Sequence, residues 1–161
     1  MKKDKTSFSG EFKPKVIINK NKYLDIGLIS EQLELGRITH INKSTCGNGA
    51  TYSWLHYTPP ATKTNIIIEP NVSTIQSKEK EHLSNQNQHN TRCFIYEGNP
   101  IDYSKPFNHL VMTSDAFVHN YKEIFSKFNI HSILIDEMHS VVQSSNYRRV
   151  MPRMMDVLLG L

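Results

Sequence analysis

Along this chain, short apolar runs rich in β-branched residues alternate with stretches whose apolar positions recur at helical spacing. Asn65-Ile66-Ile67-Ile68-Glu69-Pro70 is an uninterrupted apolar run closed by a turn, as expected of a strand covered on both faces. Residues 92–96, 110–113 and 132–135 read as three further strands, with weaker ones at 15–19 and 37–42. Between them the spacing predicts helices. One passes through Tyr52, Trp54 and Leu55 and is ended by Pro59-Pro60, a polar one covers 72–83, and a third covers 116–128 with Ser114 or Asp115 as its N-cap. Leu24, Leu28, Leu33 and Leu35 give 23–35 a weaker helical pattern. Phe117, Tyr121, Ile124, Phe125 and Phe128 form an apolar stripe of core type. Strand and helix in this rhythm predict an α/β fold, a mostly parallel central sheet with helices on both faces. Such sheets bind ligands off the carboxyl ends of their strands.

Length and charge narrow this picture. A chain of 161 residues supports one domain with a real core, and we expect it over 15–161. The net charge of +4 invites a nucleic-acid partner. Yet Lys2, Lys3, Lys5, Lys13, Lys15, Lys20 and Lys22 crowd the start of the chain against only Asp4 and Glu11. The body is therefore about neutral, and residues 1–14 read as a disordered basic tail. No apolar stretch approaches the roughly 18 residues of a membrane span, and no signal peptide opens the chain, so the expectation is a cytoplasmic protein with no membrane partner. Cys46 and Cys93 have no CxxC partner, and His82, His89 and Cys93 fall in or beside a polar loop rather than a zinc spacing.

Two segments carry candidate chemistry. Residues 44–51, Ser-Thr-Cys-Gly-Asn-Gly-Ala-Thr, approach the pattern G-x-x-x-x-G-K-[ST], a turn whose amides wrap phosphates, with a lysine on the β/γ oxygens and a hydroxyl on Mg²⁺. Gly49 and Thr51 fit, Ser44 stands for the first glycine, and Ala50 stands for the lysine. Downstream, Asp136-Glu137-Met138-His139 closes the run Ile133-Leu134-Ile135. A carboxylate at the tip of a buried strand can hold Mg²⁺, here Asp136 with Thr51, and a neighbouring Glu137 can orient or deprotonate an attacking water. Trp54, Tyr52 and Tyr57, just after the loop, read as core rather than as base-stacking platforms. The apolar end, 150–161, reads as a helix docked on the sheet or a face meant for more chain.

In their order these segments resemble the first RecA-like lobe of the DEAD/DEAH-box (DExH) helicases of superfamily two, over about Ile38 to Tyr147. Thr45-Cys46-Gly47-Asn48-Gly49-Ala50-Thr51 looks like that family's nucleotide loop, and Asp136 to His139 like its DExH box. Ile67-Ile68-Glu69-Pro70-Asn71 through Gln76 and Val111-Met112-Thr113-Ser114-Asp115-Ala116-Phe117 look like the elements that grip a nucleic-acid strand. Similar lysine-free loops occur in helicase-like proteins of bacterial viruses and mobile elements. The resemblance implies a P-loop NTPase fold and ATP with Mg²⁺ as cofactors. It implies Glu137 and His139 as catalytic residues, and Pro70, Asn71, Thr113 and Ser114 as contacts to DNA or RNA. It also implies a second RecA-like lobe in cis, or a partner protein in trans, to supply arginine fingers worth about 10³ to 10⁵ in rate. Loss of the lysine weakens phosphate binding by roughly 10 to 150-fold, and Lys43 is a neighbouring base that could fill the charge. The expected function is thus an ATP-dependent helicase or translocase lobe, weak or inactive alone. The alternative is a non-catalytic nucleotide-binding or scaffold domain that kept the fold and lost the lysine.

Overall fold

The computed structural model describes residues 24–29, 41, 49–85, 90–136 and 150–160. The tail at 1–14, the strand expected at 15–19 and, apart from Ile41, that at 37–42 lie outside them. Of the helix expected at 23–35 they hold a 3₁₀ turn, Ile26–Ile29.

In chain order the elements are α1 (Ala50–His56), β1 (Lys63–Glu69), α2 (Val72–Ser84) and β2 (Arg92–Ile95). They continue with β3 (His109–Thr113), α3 (Ser114–Lys127), β4 (Asn129–Ile135) and α4 (Val150–Leu159). The four strands form one all-parallel sheet in the order β2-β3-β1-β4. β1 leads through α2 to β2, and β3 leads back past β1 through α3 to β4. The two crossovers run in opposite directions across the sheet, so a common right-handedness puts α2 and α3 on opposite faces. The packing agrees with that rule.

β1 shows why its run is apolar on both sides. Ile66 and Ile68 point to one face, among Leu110, Met112, Phe117, Ile124 and Met154, while Ile67 points to the other, among Val111, Trp54, Leu55 and Ile75. All three isoleucines are buried, each contributing about 1.5–3 kcal/mol of transfer free energy. β2 joins β3 through 96–108, a connection without helix, whose Ile101, Tyr103 and Phe107 pack on the first face. A parallel neighbour needs a connection of about this length even where no helix forms.

Some boundaries differ from the expectation. β1 starts at Lys63 and ends at Glu69, so Pro70 lies past the strand, and β4 begins at Asn129 rather than 132. The polar Asn129 and His131 hid the extension, which pairs Asn129 and Ile130 with Lys63 and Thr64 before a register shift. The N-cap of α3 is Thr113, neither Ser114 nor Asp115: its hydroxyl accepts from Ala116 N at 3.2 Å. α4 packs chiefly on α3 rather than on the sheet, with Met154 buried in the first core.

Candidate functional site

Gly49 stands at φ 69°, the left-handed region, and caps α1 by accepting from Ser53 N at 2.7 Å. A side chain at this φ meets its own backbone, which is why a glycine stands here. Ala50 is buried, and the next residue, Thr51, turns its hydroxyl toward the sheet and donates it to Asp136 Oδ2. Asp136 is positioned by the ladder itself. Its amide donates to Ile68 O at 2.9 Å, extending the β1–β4 pairing by one residue past Ile135. Thus the end of the glycine loop and the tip of the acidic strand, 85 residues apart, meet at the carboxyl edge of the sheet.

The far end of α1 is tied down as firmly. A helix leaves its last carbonyls without internal partners, and in seven residues those ends are most of the element. The buried His109 donates Nε2–H to Trp54 O at 3.0 Å, and Arg92 Nη2 donates to Leu55 O at 2.8 Å. Both residues lie at the amino ends of their strands, so α1 runs antiparallel to the sheet with Thr51 at the carboxyl edge. His109 belongs to a polar row that crosses three strands. Ser132 donates its hydroxyl to Asn65 Oδ1 at 2.7 Å, and the Asn65 amide nitrogen lies 3.4 Å from His109 Nε2. Burial pushes the His109 imidazole down to about 4, opposed by its bond to Trp54 O. It stays neutral at ordinary pH.

Glu69 ends β1 level with Thr113 of β3 and, across the β4 pairing, with Asp136. Its side chain is fully buried and lies 3.1 Å from Lys78 Nζ, the Lys78 side chain remaining 19% exposed. A fully desolvated carboxylate persists only with a partner. In the sequence Glu69 stands out only as part of a strand end, and Lys78 only as one residue of a polar helix. The signal was a charge in the inward phase of an otherwise apolar strand, with a lysine nine residues on.

Of the residues expected to grip nucleic acid, Pro70 and Asn71 follow β1, and Thr113 and Ser114 end β3 and open α3, so all four gather at the same edge. Asn71 caps α2, its side-chain oxygen accepting from Thr74 N at 2.9 Å and from the hydroxyls of Ser73 and Thr74. Ser114 is buried. Thr45, Cys46, Gly47, Asn48, Glu137 and His139 lie outside the described residues, as do Lys43 and His89. Tyr52 departs from the core reading: it is 53% exposed and stacks on His56 at 4.0 Å. Trp54 is buried and Tyr57 half-buried against His131. Among the described residues no helix is long and apolar enough to cross a membrane, and no three His, Cys, Asp or Glu side chains group as a metal site.

Compared with known proteins, the chain matches no family model, no curated protein and no solved structure.

Proposed function

We propose that this chain is the nucleotide-binding lobe of a DExH-type, ATP-dependent helicase or translocase, built on a P-loop NTPase fold. The observation that carries the reading is the bond from Thr51 to Asp136 at the carboxyl edge of a parallel sheet. These two side chains are the hydroxyl and carboxylate expected to share a Mg²⁺. Both are hard oxygen donors, and Mg²⁺ takes few protein ligands, completing its shell with water and phosphate oxygens. Bound there, it would neutralise charge on the β- and γ-phosphates. The chain's part is to hold those oxygens close to the phosphate loop, with Glu137 following Asp136 to orient the attacking water. Pro70, Asn71 and Thr113, gathered at one edge with Ser114 buried beneath them, form the surface offered to a DNA or RNA strand.

Ala50 favours a second reading, a nucleotide-binding domain without turnover, because the charge that follows the γ-phosphate through the reaction is missing from the loop. Calorimetric titration of Mg-ATP into the chain and into Ala50→Lys separates the two. Binding by both, with hydrolysis stimulated by DNA or RNA once a second lobe is supplied, supports the motor. Binding by the variant alone supports the domain without turnover. If neither binds, the phosphate-loop assignment fails.

A further inference from the structure

Between α1 and α2 lies a cavity of about 230 Å³, lined among others by Thr51 and Leu55 of α1, Thr74, Lys78 and Glu81 of α2, and Arg92. α2 leaves the carboxyl end of β1, and α1 carries Thr51 at that same edge, so the two helices run the same way. Thr51 and Thr74 therefore mark the cavity's upper end, and Arg92, bonded to Leu55 O, its lower end. Lys78 starts one turn below Thr74. Helical side chains lean toward the helix N-terminus, and a lysine is long enough to climb a turn. It does so: its ammonium reaches Glu69 at the last residue of β1, level with Asp136.

We propose that Lys78 supplies, from α2, the cation for a nucleotide's terminal phosphates that Ala50 leaves out of the loop, with Glu69 holding its ammonium at the strand-end edge beside Thr51. This rests on the phosphate-loop reading and deepens it. An ammonium has three donors, and contact with one carboxylate oxygen leaves two for a ligand. Glu69 is fully buried, whereas the Lys78 side chain is 19% exposed and lines the cavity, so Lys78 is the member of the pair that an entering ligand meets. Arg92 lines the same cavity, but its Nη2 is engaged on α1 at the lower end.

Removing Lys78 alone takes its cation from the buried Glu69 carboxylate, so the test removes the pair together. Glu69→Gln and Glu69→Gln/Lys78→Met are titrated with Mg-ATP and Mg-AMP by calorimetry, beside wild type and Ala50→Lys, with circular dichroism verifying each fold. The double variant is expected to bind Mg-ATP at least about 10-fold more weakly than wild type, with AMP affinity unchanged. Equal ATP affinity in wild type and the double variant overturns the proposal. So does binding by Ala50→Lys with none by wild type, which leaves the phosphate-loop reading intact. Absence of binding in wild type and Ala50→Lys alike removes that reading and this one together. A second measurement needs no variant: acetylation of lysines in the wild-type chain, read by mass spectrometry. Saturating Mg-ATP is expected to slow modification of Lys78 at least 5-fold while leaving the exposed Lys105 and Lys122 unchanged. Unprotected Lys78 overturns the proposal.

Discussion

Two side chains set the chemistry that single substitutions can probe. Thr51→Val keeps the shape of the α1 start but removes the hydroxyl that Asp136 accepts. We expect a loss of about 1–3 kcal/mol in urea unfolding, since a buried carboxylate loses a donor, and a weaker dependence of nucleotide affinity on Mg²⁺. Unchanged stability would show that Asp136 is satisfied without Thr51. His109 makes a pH prediction. Its folded value, about 4, lies below the ordinary 6.5, so as pH falls the unfolded chain takes up a proton before the native one does. The stability linked to it is whole above pH 6.5, declines as pH falls toward 4, and changes no further below. The loss reaches on the order of 3 kcal/mol. Urea midpoints measured between pH 7.5 and 4 should follow this course, and His109→Gln should flatten it.

Among the elements, those with strong local signals were the legible ones. The Ile66-Ile67-Ile68 run announced a doubly covered strand because nothing else buries three β-branched residues in succession, and the stripe from Phe117 to Phe128 announced α3. Legibility failed where tertiary pairing decides. The segment from Asn129 to His131 looks like loop until Lys63 and Thr64 pair with Asn129 and Ile130, and Tyr52 follows the helical spacing of Trp54 yet faces solvent. In the site, Thr51 and Asp136 could be picked by motif, whereas Glu69 with Lys78 is a pairing across a turn that no single-segment pattern displays. The helices α2 and α3 owe their starts to Asn71 and Thr113. Replacing either with alanine should cost about 1 kcal/mol. For Asn71→Ala, a loss in stability without a loss in DNA or RNA affinity would make that residue a cap and nothing more.

At the scale of the molecule, the sheet order puts β1 and β3 inside and β2 and β4 at the edges of the described sheet. β1 is buried from Thr64 to Glu69, while β4 is half-buried over most of its length. Native-state hydrogen exchange should therefore find its slowest amides in β1 and β3, with β4 opening earlier. Equal protection in β4 would indicate that its outer edge is covered.

The same order governs how the chain comes together as it is made. β1 leaves the ribosome first of the four, but its neighbours are β3 and β4, and Lys63 finds Asn129 only 66 residues later. At about 5–20 residues per second, three consecutive isoleucines wait for seconds with neither flank covered. Synthesis of this protein thus has a built-in interval in which a chaperone that holds extended apolar segments has its natural client, and Ile67→Thr would shorten the binding while weakening the finished sheet.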